Sequence, residues 1–492
     1  MPTRLELDLE TIAPRLAPRR RVEGALMRLL LLGDFSGRAA RGLDDPAALA
    51  ARPVLHVDLD SLDAVLARLA PVVEHASEGA TVAIPFASLD DFHPDRLFER
   101  SELFAPSRDL RERLSDPARA DQVKAELLGS DTEPDASTMN RLLGREAPAV
   151  APAAAPVVGS AEAAVDALVR RLVAPDIAPG VGPEQAQLVA TADLAIAERM
   201  RALLHDPHFQ ALEAAWRTVQ LLVSRLELDE DLQLHLFDVS RPELTAAAAE
   251  PELERTGLWK ALVDRPLATG YGGWSMIVAL ESFDASLGDI ALLATLAATA
   301  AATGAPLVGT ASPRLLGCAA LSLTTDPGDW QPLDADSQAR WQVLRRSPLA
   351  PWIGLVAPRI LLRLPYGKTT DPLERFDLDE MAGADPAQTL LWGHPGAACA
   401  LLAGLAFREA GWQMDLDTSL DVDDLPAWVC GDGDERQLYP CAEAWLGERG
   451  GEALLARGPM ALISRRDRPA ARLMRWQSIA DPAAALAGPW GG

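Results

Sequence analysis

Apolar residues fall along this chain in two rhythms: nearly uninterrupted runs that bury a strand on both faces, and three-and-four spacings that mark one face of a helix. Ala25 to Leu32 is a run of the first kind and ends at Gly33, as a buried strand would. Ser61 to Leu69 sets Leu62, Val65, Leu66 and Leu69 on one helical face, and Pro71 stops that helix. Val72 to Glu74 and Thr81 to Phe86, around a Ser-Glu-Gly turn, predict a hairpin that feeds the loop Leu89-Asp-Asp-Phe-His-Pro94. Together these elements predict a small α/β unit. Its tail, Arg108 to Leu128, is rich in helix formers but crossed by Asp116-Pro117, which divides it into two short helices.

The helical rhythm returns at Ala161 to Val173, where Ala164, Val165, Leu168, Val169 and Leu172 form an apolar face in need of a partner surface. A second helix is predicted over Ala192 to Leu204. Asp206-Pro207 then supplies a side-chain acceptor and a first-turn proline, and the helix that follows carries Phe209, Leu212, Trp216, Val219 and Val223 as a narrow stripe. Leu232 to Val239 alternates like a strand. Trp274 to Leu280, the helix Leu287 to Thr303 and the strand Leu307 to Thr310 have the form of a β-α-β crossover with parallel strands. Leu390 to Gly411 predicts a helix entered near Trp392-Gly393-His394-Pro395, and Asp415 to Asp424 an acidic loop or edge strand. The expected fold class is therefore α/β in two regions. Between them, Ala147 to Pro156 is almost entirely Ala, Pro and Val, a composition with little to pack. The expected organisation is a first region over 1–130, an Ala/Pro-rich linker with an amphipathic helix over 131–190, and a second region over 191–492.

Composition narrows the function. A chain of 492 residues with 49% hydrophobic side chains has material for two to four domains. A formal charge of −25 and a pI near 4.7 repel phosphate backbones and anionic lipid, so nucleic acid is not an expected partner. Ile290 to Gly309 is uncharged and as long as a membrane span, but it is mostly Ala and Thr and is broken at Gly304-Ala305-Pro306, which predicts a buried helix and no membrane insertion. Cys318, Cys399, Cys430 and Cys441 are scattered without a CxxC pair, and Met1 to Glu10 lacks the basic and apolar stretches of an export signal. A cytoplasmic location is expected.

Motifs for chemistry fail on inspection. Gly367-Lys368-Thr369 lacks the glycine of a phosphate-binding loop five positions before the Gly-Lys pair, where Leu362 stands. His205 and His208 straddle a helix start with no further ligands nearby in sequence. Ser36 has Asp34 where a nucleophile elbow needs glycine. The Asp90-Asp91 and Asp423-Asp424 pairs read first as caps or solvated faces, and only second as a cation or acid-base site. No catalytic, cofactor-binding or metal-ligating residue is assigned, and no cofactor is expected. Twelve tryptophans against three tyrosines supply buried area for the second region's core, with some left for subunit contacts.

Two sets of segments carry a resemblance. Leu32-Gly33-Asp34-Phe35-Ser36-Gly37-Arg38, Asp90-Asp91-Phe92-His93-Pro94 and Leu110 to Leu114 resemble the small subunit, TssB or VipA, of the type VI secretion contractile sheath. Leu204 to Arg217, with Asp206, Pro207, Phe209 and Trp216, then Gly304 to Pro313, resemble the large subunit, TssC or VipB. That second resemblance continues through Gly354 to Phe376, with Pro358, Arg359, Arg363, Leu364, Pro365, Tyr366 and Gly367, and through Trp392-Gly393 and Gln477-Ser478. In one polypeptide the order implies a fusion of the pair. The resemblance implies a structural protein, not an enzyme, that self-associates into a helical polymer around an Hcp-type tube on baseplate proteins and contracts to eject the tube. A ClpV-type AAA+ ATPase is an implied further partner, through a helix placed as Ala161 to Val173 is here. Large subunits of the family continue past the Gln-Ser segment into strands that interlock neighbours, whereas this sequence ends at Gly492, so a shortened C-terminus is expected. The alternative role is a sheath-derived cap, baseplate adaptor or assembly factor that does not itself contract.

Overall fold

The computed structural model describes residues 21, 23–77, 80–116, 119, 122–123, 181–268, 273–431 and 436–490. They fall into two compact units that do not follow chain order. One gathers the segments up to Pro71, Ala211 to Leu364 and Leu390 onward, and the other Val72 to Gln210 with Pro365 to Thr389.

The strands in chain order are β1 Met27–Gly33, β2 Leu55–Val57, β3 Val72–Ser77, β4 Ala80–Pro85, β5 Leu232–Asp238, β6 Met276–Phe283, β7 Leu307–Ala311 and β8 Ile353–Ala357. There follow β9 Ile360–Leu361, β10 Trp392–Gly393, β11 Asp421–Val422, β12 Val429–Cys430, β13 Gln437–Leu438, β14 Met460–Ser464 and β15 Ala471–Leu473. Nine of them make the sheet of the first unit, in the order β11-β15-β14-β8-β7-β6-β1-β5-β2. From β5 through β1, β6, β7 and β8 to β14 every pairing is parallel, and β2, β15 and β11 add antiparallel edges. The protein is thus of the α/β class.

The sheet departs from one expectation. β1 does not belong to a small unit of its own but lies between β5 and β6, in register from Met27 opposite Leu232 to Gly33 opposite Asp238. All seven of its residues are buried. A strand apolar on both faces needs a neighbour on each edge and cover on each face. The β3-β4 hairpin does not provide them, because among the described residues its strands pair with each other and it lies in the other unit.

Two alanine-rich helices flank these strands. Leu287–Thr303, capped by Ser286 and ended by Gly304, packs on β6 and β7 with twelve buried residues. Gly396–Ala410 packs on β1, β5, β6 and β7. That second helix begins later than its sequence suggests, because Trp392 and Gly393 are extended and pair as β10 with β9 before Pro395 opens the helix. Among the described residues no helix is long and apolar enough to cross a membrane.

The second unit holds the hairpin, the helices Pro94–Arg100 and Ala105–Ser115, and Val181–Leu204. The last of these starts eleven residues before the expected Ala192. Leu188 and Val189 pack there with Leu110 and Leu114, a contact between distant segments that the local pattern does not express. Phe86 and Phe92 stack at 4.1 Å, and Phe209 meets both edge-on. Arg111 binds Asp193 at 2.6 Å, and Phe376 packs on Phe98 with ring centres 5.1 Å apart. The Ala/Pro-rich linker, the Ala161–Val173 helix, the N-terminal ten residues and most of the tail beyond Asp116, residues 124–128 included, lie outside the described residues.

Candidate functional site

The first signature segment turns sharply where β1 ends. Asp34 accepts from the Arg38 and Ala39 N–H groups, both at 2.8 Å, and Gly37 takes a φ of 70°, a left-handed value that suits glycine. Asp238, the last residue of β5, gathers the turn: its Oδ1 accepts from the backbone of Phe35 (2.9 Å) and Ser36 (3.1 Å), and its Oδ2 from Ser36 Oγ (2.9 Å) and Arg38 Nε (3.1 Å). Phe35 is buried edge-on against Trp216, whose indole N–H donates to the Phe35 carbonyl at 2.9 Å. The two sets of signature residues therefore touch, at Phe35 and Trp216.

Ion pairs frame this contact. Glu213, one turn before Trp216 and fully buried, accepts from Arg363 Nε at 2.8 Å and Nη2 at 3.2 Å, and from Arg217 at 3.3 Å. Arg363 also donates to the Leu364 carbonyl. Glu243, likewise buried, holds Arg52 through two contacts of 2.7 Å and accepts from the Asp45 and Ser240 N–H groups. Burial pushes the Glu243 carboxyl up, but the Arg52 and backbone hydrogen bonds outweigh it and bring it down to about 2. Arg359, which follows Pro358 and its cis bond, binds Glu443 at 2.7 and 3.0 Å and lies 5.7 Å from the Trp392 ring centre. At Gly393 a Cβ would stand 2.6 Å from the Leu362 side chain, so β10 approaches that closely only as glycine.

The remaining signature residues are pins of the same kind. Pro313 starts a short turn capped by Ser312. Gln477 Nε2 donates to the Leu455 and Gly458 carbonyls at 2.9 Å, and Ser478 Oγ to that of Ala484. In the second unit Asp91 accepts from the Ala87 and Ser88 backbone and from Arg100, Phe92 joins the phenylalanine stack, and Pro94 opens a helix. Asp206 caps the helix begun by Pro207, accepts from the His208 and Phe209 N–H groups and contacts His75 Nδ1 at 3.1 Å. The Tyr366 backbone, just past Pro365, exchanges hydrogen bonds with buried Glu380, and the Gly367 N–H donates to Asp371.

The residues weighed for chemistry fall into ordinary roles. Ser36 Oγ donates to Asp238, Lys368 pairs with Asp377 at 2.9 Å, and Asp423 and Asp424 pair with Arg468 and Arg225. Sequence reasoning passes over the acidic partners Asp238, Glu213, Glu243, Glu380 and Glu443. One signal is present: Glu213 sits between Phe209 and Trp216 on the apolar stripe, where a carboxylate demands a buried cation.

A protein whose signature side chains turn inward and lock chain segments together is a structural frame. The comparisons agree with that class. Residues 186–480 match the family described as EvpB/VC_A0108, tail sheath N-terminal domain, and residues 21–127 match that described as Type VI secretion system, VipA, VC_A0107 or Hcp2. The type VI secretion system sheath protein TssC1 of Pseudomonas aeruginosa is 28% identical over 306 residues, which cover 60% of this chain and 61% of that protein. The chain thus spans about three fifths of the length of the curated relative it matches. It belongs to the type VI secretion tail sheath family, with a VipA-type region ahead of the VipB-type one in a single polypeptide, as a fusion of the two subunits would have them.

Proposed function

We propose that this chain is a fused sheath protomer that assembles helically around an Hcp-type tube and drives its ejection by contraction. The observation that carries this is the place of β1: a strand from the VipA-type region lies inside a sheet otherwise made largely by the VipB-type region, paired on both edges, so the two regions share one core. Fusion fixes their ratio at one to one and raises their effective concentration. The work of ejection would come from passage of a metastable lattice to a more compact packing, with no nucleotide consumed by the sheath itself. Baseplate proteins and a ClpV-type ATPase complete the proposed set of partners, in the cytoplasm of a bacterium.

Negative-stain electron microscopy of the purified chain, with and without its tube partner, tests the assignment. Regular tubules are the expected result. Monomers or small closed oligomers under both conditions would refute it in favour of a cap, adaptor or assembly factor.

A further inference from the structure

The parallel strands of the first unit end in carboxylates. Gly33 on β1 lies opposite Asp238 on β5, and Leu32 opposite Ala279 on β6, so that one step past β1 Asp34 stands level with Glu281. Two helices start at the same edge, Arg241–Ala248 with Arg241 at its first position and Leu287–Thr303 with Asp289 in its first turn. Arg241 spans the gap between strand and helix: its Nη1 donates to Glu281 at 2.7 Å and to the Ser282 carbonyl at 3.2 Å, and its Nη2 to Asp289 at 2.5 Å. Asp289 also accepts the Asp284 N–H at 2.7 Å, and Asp284 accepts the Ser286 N–H at 2.7 Å. Glu281 and Asp289 keep only 15% and 14% of their side chains exposed.

The charges at this edge do not balance. Glu281 and Asp289 share one guanidinium, with Asp34 and Asp284 close enough to add to the repulsion. Of the other cations, Arg314 faces Asp284, Arg38 faces Asp34 but is bound by Asp238, and Arg340 donates to the Ala285 carbonyl. Neighbouring carboxyls away from water resist ionising together. Burial, joined by Asp289 and Asp34, pushes Glu281 up against the pull of Arg241. Burial with Asp284 alongside likewise raises Asp289, and burial with Asp238 alongside raises Asp34 against its backbone hydrogen bonds. At Asp284 burial is outweighed by the hydrogen bonds from Ser286, which hold it down.

We propose that this edge is a pH-sensitive clamp between the ends of β1 and β6 and the first turns of the two helices, tight while Glu281 and its neighbours hold protons and loosened by their mutual repulsion as they ionise. A carboxyl raised in the folded protein binds its proton more tightly there than in the unfolded chain. Its stabilisation is therefore present below the ordinary 3.8 of Asp or 4.5 of Glu and is lost as pH rises through the raised value. Asp284 acts in the opposite sense, and only below its ordinary 3.8. The clamp joins a strand of the VipA-type region to one of the VipB-type region, and it acts whether or not the chain polymerises.

Thermal melts of the full chain from about pH 5 to about pH 8 decide it. Glu281→Gln, which fixes the uncharged form, should melt with the parent at the acid end and about 2 °C or more above it at the alkaline end. Asp289→Asn, which keeps an acceptor for the Asp284 N–H, should diverge from the parent in the same direction and serves if the Glu281 variant does not fold. Asp60→Asn, at an exposed position, reports the effect of overall charge and should run parallel to the parent. A gap between the clamp variants and the parent that stays constant or shrinks as pH rises, or one that Asp60→Asn reproduces in full, overturns the proposal.

Discussion

At the scale of single residues, the side chains that distinguish this chain are carboxylates out of reach of water. Glu243 shows what such a group contributes. Its folded value of about 2 lies below the ordinary 4.5, so the stabilisation it gives is fully present above pH 4.5 and is lost as pH falls toward 2. The difference corresponds to about 3 kcal/mol. Glu243→Gln should therefore destabilise the protein by roughly that amount at pH 7, because it leaves the Arg52 guanidinium beside a neutral group. Urea denaturation at pH 7 and again at pH 3 checks both statements: the gap between variant and parent should narrow markedly at the lower pH, and an equal gap would assign it to packing. The sequence indicates that residue 243 is acidic and follows Ser240 by three, a capping-box spacing. That it also faces Arg52, 191 positions away, follows only from the fold.

At the scale of elements, local pattern and structure agree most closely in the central crossover. The Leu287–Thr303 helix is legible to the residue because Ser286 caps it, Gly304 ends it with φ of 82°, and the alanines between leave no other period. Its small side chains let β6, β7 and the neighbouring helices approach closely. Ala297, fully buried, has no room for a larger group. Ala297→Leu should cost about 1–3 kcal/mol by overpacking, while Ala302→Leu, at a half-buried position of the same helix, should cost well under that. Thermal and urea melts of the two variants measure the contrast; similar losses would mean that helix propensity, not packing, sets the effect. Short elements escape the pattern. β10 is two residues long and reads as part of the following helix, since only its pairing with β9 keeps Trp392 and Gly393 extended.

At the scale of the whole molecule, the order of strands in space differs from their order in the chain. β1 and β2 come from the first 71 residues yet complete a sheet whose other seven strands lie between Leu232 and Leu473. Expressed as two chains, residues 1–130 and 131–492, the halves should co-purify at one to one through a high-salt wash, because their contact is a parallel strand pairing with a buried apolar core and not a salt-screened surface. The 131–492 piece alone should be insoluble, with the β5 and β6 edges open. A soluble, folded 131–492 fragment would count against a shared sheet. Most elements can be read from the chain unaided, since hydrophobic period, caps and glycine stops are local, and so can the family, since signature segments survive as strings. The chain also shows which segments are apolar on both faces. Which strand lies beside which, that Phe35 meets Trp216, and which arginine neutralises each buried carboxylate emerge only from the folded molecule. Those are contacts between residues far apart in the chain, and their energy comes from burial and pairing that no local stretch can express.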